Sequence, residues 1–337
     1  MRCKLLFVKA FAALAIAQLC ALSHPMLGQT SHAFVHERDV NGRFPPGVDT
    51  PRWSGRSLLG YELDMTAAPI LYSVDRNGNR EEYVLTLPGV SMVSIGAMAG
   101  GADGAIAVSG GAYSSDAQIT TFFAWISPDR KTQIVTRIWP YVAEKIVIAA
   151  DGTIWTAGFL KNDENTKVLV ENQFRHFETS GKQLAAFAVR TRESKQLLSN
   201  GTTYSWLGAS SDRVGWLSNG NEYIELALDG TEIQRFDGPT DLTEAPVGLR
   251  GAALSADNEI ALGAGTKSGL SVLTLDRKSR TWNALLPEEK ASHRVAGFDG
   301  TTLITLPALE PGGVMRRYAR KDVSARPVSR ADSAGRR

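Results

Sequence analysis

Two kinds of tight turn alternate strictly between residues 70 and 302, and no other feature limits the possible folds as much. The first is centred on aspartate and leads into a short apolar run: Asp103 before AIAV, Asp151 before TIWT, Asp212 before VGWL, Asp257 before EIAL and Asp299 before TTLITL. The second closes a hairpin of alternating character, in ILYSVDRNGNREEYVL, AWISPDRKTQIV, RHFETSGKQLAAF, IELALDGTEIQRF and SVLTLDRKSRTW. Its centres, Asp75, Asp129, Gly181, Asp229 and Asp276, are 54, 52, 48 and 47 residues apart. Asp-Gly and its relatives supply the positive φ that short hairpin connections require.

A unit of about 50 residues holding two such turns has room for four strands. The run after each first turn, as in Ala105-Ile106-Ala107-Val108, is apolar at nearly every position, which a strand shows when both its faces are covered. These runs are expected to be the innermost strands. Strands around the second turn alternate, as Ile224, Leu226 and Leu228 do against Tyr223, Glu225 and Ala227, which suits a position nearer a rim. Small sheets whose inner strands are sandwiched between neighbouring sheets are the blades of a β-propeller. The pattern predicts an all-β chain of about six four-stranded blades, with five or seven as alternatives. The blades fall at 89–140, 141–191, 192–240, 241–290 and 291–320. Residues 57–88 form the first or closing blade, and N-terminal strands complete the last one. The 61-residue step from Asp151 to Asp212 predicts an insertion after the second strand of the 141–191 blade.

Outside the repeats the chain changes character. Arg2, Lys4 and Lys9 accompany a charge-free run from Phe11 to Leu22, and Ala21-Leu22-Ser23 offers small residues at the −3 and −1 positions of a cleavage site. Residues 1–23 are therefore expected to be a secretory signal with cleavage near Ser23, placing the chain in the periplasm or outside the cell. The run is too short for a membrane span, and the bulky Leu19 disfavours lipidation at Cys20. No span remains after signal removal. Both cysteines, Cys3 and Cys20, lie in the signal, so thiol catalysis and cysteine-bound metal drop out together. Residues 24–56 are expected to be a polar lead-in, a linker or an arm across the domain. The propeller is expected over 57–320, and a disordered basic tail over 321–337. The net charge of +2 conceals +3 over 1–29 and +6 over 316–337, leaving about −7 for the body. A mildly acidic body argues against nucleic acid as a partner.

The string AADGTIWTAG, Ala149 to Gly158, resembles the repeat of bacterial propellers of the NHL, virginiamycin B lyase-like and two-component-regulator groups, which carry versions of DGxIW. One repeat matches well and four are degraded. The resemblance implies a propeller and no single activity, because those groups include binding modules, sensors and enzymes.

Ligands of propellers usually sit at one end of the central channel, near the starts of the inner strands. Stepping back five to eight residues from the Asp turns gives Glu144 and Lys145, Tyr204 and Ser205, Arg250, and His293 with Arg294. As a ring with surplus positive charge they would hold an anionic group; as ordinary rim residues they would only be hydrated. The connections at 110–121 and 159–170 emerge on the same face and offer a partner-binding wall. His32 and His36, with Glu37 and Asp39, lack the rigid element a metal site needs. Asp75–Glu81 lacks the glycine and glutamate spacing of a calcium loop. No cofactor or metal is expected. Trp155 and Trp216 are assigned to equivalent places in successive blades, and the glycines Gly96, Gly100 and Gly101 to close strand packing. No nucleophile elbow, zinc helix, Walker loop or dinucleotide fingerprint occurs. The leading expectation is a non-catalytic exported module that binds a protein, peptide or glycan. The alternative is a lactonase-like hydrolase or a lyase acting at the channel mouth. Lactonase-like propellers hold a divalent metal there on Glu, Asn and Asp, and this chain offers Glu144 with no matching Asn or Asp at the other strand starts.

Overall fold

The computed structural model describes residues 32–42, 44–45, 47–48, 52–116, 118–191, 205–218, 222–239, 249–266, 269–286, 293–307 and 314–322. Among them every regular element is a strand, and the strands form six four-stranded antiparallel sheets.

Blade 1 contains β2 (Arg52–Ser54), β3 (Ser57–Tyr61), β4 (Ile70–Asp75) and β5 (Arg80–Val84). Blade 2 contains β6 (Met92–Gly100), β7 (Ile106–Tyr113), β8 (Ile119–Ile126) and β9 (Gln133–Arg137). Blade 3 contains β10 (Tyr141–Ile148), β11 (Ile154–Lys161), β12 (Val168–Phe177) and β13 (Gln183–Ala188). Blade 4 contains β14 (Trp206–Ala209), β15 (Arg213–Ser218), β16 (Glu222–Ala227) and β17 (Glu232–Asp237). Blade 5 contains β18 (Leu249–Leu254), β19 (Ile260–Thr266), β20 (Gly269–Asp276) and β21 (Thr281–Ala284). Blade 6 takes β22 (His293–Asp299), β23 (Thr302–Pro307) and β24 (Val314–Asp322) from the end of the chain and β1 (His32–Asn41) from its beginning.

The core is not central. It consists of six apolar layers, each between two neighbouring blades. Between blades 1 and 2, for instance, Leu71 and Leu85 meet Ile106, Phe122 and Ile126. The outer strands are tied by a recurring bond from a side chain to the carbonyl of the preceding outer strand or of the residues just after it. Arg235 Nη1 donates to the Arg190 carbonyl at 2.8 Å, Trp282 Nε1 to that of Asp237 at 2.8 Å, and Gln133 Nε2 to that of Thr86. Each spans 45 to 47 residues, one repeat.

Both turn types fold as their chemistry dictates. Gly104 and Gly152 carry φ of 95° and 82°, in turns where Gly104 and Gly152 donate to the carbonyls of Gly101 and Ala149. Asp75 Oδ1 accepts from the amides of Asn77 and Asn79, an ordinary aspartate-stabilised hairpin. Gly100 packs against blade 1 so closely that a β-carbon there would lie 2.7 Å from the Ser54 carbonyl oxygen. The amide of Gly100 donates to Ser54 Oγ at 2.9 Å, as expected of glycine used for close strand approach.

Several expectations need correction. The apolar run after each first turn is the second strand of its blade, not the innermost. The second strand is covered on both faces and paired along both edges, so it needs apolar residues throughout. The innermost strand has one edge on the channel, which small residues serve better. Residues 24–56 are not merely a lead-in: 32–41 form the outermost strand of blade 6 and 52–54 the innermost strand of blade 1. An outermost strand hides few side chains (in β1, Phe34), so no hydrophobic period marks it. β24 carries the sheet to Asp322, and residues 323–337 lie outside the described residues, as do 1–31. The connection between β11 and β12 is short, at 162–167; the extra length before Asp212 falls between blades 3 and 4, where residues 192–204 lie outside the described residues.

Trp155 and Trp216 are not equivalent. The first-type turn of blade 3 closes from Ala149 to Thr153 and that of blade 4 from Ser210 to Arg213, one residue shorter. One residue reverses the face of every side chain that follows. The two indoles therefore enter the same layer from opposite blades, Trp155 stacked on His176 at 4.3 Å and Trp216 edge-on to Phe174 at 5.0 Å. Burial holds the His176 imidazole below its usual pKa, so it stays neutral there.

Candidate functional site

The channel is walled by the six innermost strands, β2, β6, β10, β14, β18 and β22. Its two ends differ in construction. Innermost strands start at one end, beside the loops that join second to third strands; call this the loop face. The first-type turns lie at the other end.

The residues singled out from sequence fall near the strand starts, as counted. Glu144 and Lys145 belong to β10, Arg250 to β18, and His293 and Arg294 to β22. Glu144 is exposed at a bulge, where the pairing of β10 with β11 shifts between Ala143 and Lys145. The same device recurs between Ile95 and Ala97, between Leu249 and Ala252, and between Val295 and Gly297. Bulges re-aim side chains, and four inner strands use one near the same level. Gly158 makes room for the bulge in β10, since a β-carbon on it would sit 1.8 Å from the Val142 carbonyl oxygen. Lys145 and Arg294 are half-buried. The side chains of Arg250 and His293, and all of Tyr204, lie outside the described residues; Ser205 directly precedes β14.

Under Glu144 the chemistry is structural. The Tyr141 hydroxyl bonds Thr156 Oγ1 at 3.0 Å and the Gln173 carbonyl at 3.2 Å, with Arg175 over its ring at 4.4 Å. Burial pushes the Tyr141 phenol well above its ordinary pKa, which keeps it protonated. On β1, His36 Nε2 lies 2.8 Å from Asp39 Oδ1. Among the described residues no three His, Cys, Asp or Glu side chains gather in a way that could hold a metal ion.

The two connections singled out as a binding wall do lie on the loop face, at 114–118 in blade 2 and 162–167 in blade 3. Sequence reasoning picked the loops and missed the side chains beside them. Of the eleven large hydrophobic side chains exposed among the described residues, eight stand at this end of the sheets: Leu63, Met65, Val84, Met92, Ile119, Val168, Leu169 and Val314. Four of them, Met92, Ile119, Val168 and Val314, open a strand at its loop-face end. Met92, Tyr113 and Ile119 are direct cross-strand neighbours, so they share one side of the blade 2 sheet. The β3–β4 loop, which carries Leu63 and Met65, reaches the start of β6 through an antiparallel bridge between Thr66 and Val93. Apolar residues opening strands next to a loop were the available signal.

Toward the turn end the channel holds a cavity of about 340 Å³. Gly55 from the β2–β3 turn, and Ala102, Ala150, Ser211, Ala256 and Gly300 from the five first-type turns, help to line it. Of the residues chosen from sequence whose side chains are described, Glu144, Lys145 and Arg294, none lines it.

No family model matches the chain, and no curated protein does. Solved structures resemble it at low identity. The gluconolactonase XC5397 from Xanthomonas campestris is 12% identical over 86% of this chain and 99% of its own, with a TM-score of 0.39. The C-terminal WD40 domain of Sif2 is 9% identical over 86% of this chain and 99% of its own, with a TM-score of 0.38. Apo AztD from Citrobacter koseri is 10% identical over 57% of this chain, which spans 47% of AztD, with a TM-score of 0.38. Likeness at this level carries no statement of activity; the six closed sheets themselves make this chain a six-bladed β-propeller.

Proposed function

We propose that the protein is an exported binding module that engages a polypeptide through its loop face. The observation that carries this reading is the gathering of eight of the eleven large hydrophobic side chains exposed among the described residues at that one end. Apolar residues collected on one surface of a soluble domain mark contact with another macromolecule. Methionine and aromatic side chains such as Met65, Met92 and Tyr113 are enriched in protein interfaces. Export rests on the charge-free run Phe11–Leu22 behind its cations. Among the described residues no helix is long and apolar enough to cross a membrane.

The test is photo-crosslinking from a probe amino acid at position 119, in the fraction outside the cytoplasm. A probe at position 184 on the rim serves as control, because Leu184 is exposed to a similar degree as Ile119. A discrete protein adduct is expected at 119, absent at 184 and lost in Met92→Glu. The captured chain is expected to begin just after Ser23. Identical adducts at both positions, a glycan as the only adduct, or a chain retaining residues 1–23 would each count against the corresponding part of the reading.

A further inference from the structure

The slot between blades 2 and 3 holds a charge that the fold leaves unmatched. Arg175, on β12, faces blade 2: its guanidinium lies over the Tyr141 ring at 4.4 Å, and Tyr141 belongs to the layer between these blades. Elsewhere the repeat fills this place with core. Three residues before the carbonyl that closes the second-type turn, at Asp75, Ser127 and Ala227, stand Tyr72, Ala124 and Ile224, all buried. The same count back from Glu178 gives Arg175. Its guanidinium is half-buried, yet no carboxylate or other acceptor meets it among the described residues. Nε is buried without a partner, while the end of the fork keeps contact with solvent. The slot also stays open. A bond from an outer strand to the preceding blade ties blades 1 and 2, 3 and 4, and 4 and 5. Strand β13 makes no such bond to blade 2 among the described residues, and Ala186, directly opposite Arg175, is exposed.

We propose that Arg175 anchors a small carboxylate, which enters the slot from the rim and supplies the ion pair that the fold omits. A half-buried cation without a counter-charge costs stability, and a partner that matches it returns that cost as affinity. A guanidinium presents a planar fork of donors that a carboxylate meets with two parallel hydrogen bonds. The cation on these strands is single. Arg175 is the one Lys or Arg of β12, and β13 has none. Arg137, the one on β9, pairs with Phe122 and so faces the layer toward blade 1. One guanidinium balances a monocarboxylate and leaves a phosphate dianion half neutralised.

The experiment is thermal denaturation of the full chain near neutral pH, with sodium acetate replacing sodium chloride at constant ionic strength up to about 100 mM. Acetate should raise the unfolding midpoint by about 2 °C or more, with saturation. Arg175→Met should melt higher than the parent in chloride, because an unmatched charge leaves a core position, and should lose the acetate response. Ala186→Glu places a carboxylate directly across from Arg175 on the neighbouring strand, so it too should melt higher in chloride and stop responding to acetate. That variant removes nothing from the core, and it decides alone if Arg175→Met fails to fold. Sodium phosphate is the third arm. No acetate response in the parent, a response that survives in either variant, or phosphate acting at about tenfold lower concentration than acetate overturns the proposal. None of these outcomes bears on the loop face.

Discussion

Deleting residues 32–41 is expected to lower the thermal unfolding midpoint by about 10 °C or more and to turn the protein into a concentration-dependent oligomer. β1 is the strand by which the ring closes, pairing with β24 from His32 opposite Asp322 to Asn41 opposite Val314. Its removal strips the cover from Phe298, whose ring lies 6.3 Å from that of Phe34, and from the layer that holds Val40. It also exposes the outer edge of a nine-residue strand. A bare edge is a template for pairing with another chain. In a closed ring the loss is not local, because blade 6 is the partner of both blade 5 and blade 1. Truncating the one side chain of β1 that is buried among those described, Phe34→Ala, should cost about 3–5 kcal/mol and leave the strand pairing in place. Light scattering and thermal melts check both variants. A monomeric deletion variant melting within about 3 °C of the parent would show that β1 contributes little to closure.

That strand also shows where the sequence stopped being legible. The repeat was readable because its turns are chemistry: aspartate and glycine must stand where the chain reverses, whatever packs around them. Six blades and closure by N-terminal strands followed from counting those turns. The strand that performs the closure was not recognised, since among the described side chains of HAFVHERDVN only Phe34 is fully hidden and the charges stay in water. The rank of the strands was misread for a related reason. Full burial was equated with the innermost place, yet in this architecture the channel leaves the innermost strand partly uncovered. Ala97, Ala99 and Ala143 in innermost strands carry less apolar bulk than Ile106, Ile154 and Trp155 in second strands. The equivalence assigned to Trp155 and Trp216 failed on one residue of turn length, which spacing from an aspartate cannot register. At the candidate site, counting back from the turns led to the strand starts. The apolar collar went unseen because Met92, Ile119 and Val168 look like ordinary strand residues until their neighbours are known to leave them uncovered.

Replacing Glu225 with alanine is expected to destabilise the protein by about 3–5 kcal/mol. Its side chain is fully buried, with 0% exposure, between blades 4 and 5. Arg213 Nη1 donates to one carboxylate oxygen at 2.8 Å; Arg277 Nε, from the β20–β21 hairpin, donates to the other at 3.0 Å. Arg277 Nη2 bonds the same oxygen and the Asn258 carbonyl, so one guanidinium staples two blades. Removing the carboxylate leaves two largely buried cations facing each other. Arg213 keeps only Asp212, at 2.9 Å, and Arg277 keeps no carboxylate among its described contacts. Glu225→Gln retains the acceptor and loses the charge, and should fall between alanine and the parent. Replacing Glu225 and Arg277 together with methionine should cost less than the alanine change alone, because Arg277 is then no longer left unmatched and Arg213 keeps Asp212. Acid should weaken the same corner. Hydrogen bonding from Arg213 holds the Asp212 carboxyl down to about 2, so its contribution is complete above the ordinary carboxylate pKa and is lost as pH falls toward that value. Denaturant titrations of the four proteins between pH 7 and 2 check both statements. If Glu225→Ala loses less than about 1 kcal/mol, the two arginines must find other partners, and the staple between these blades is not where their ring gains its stability.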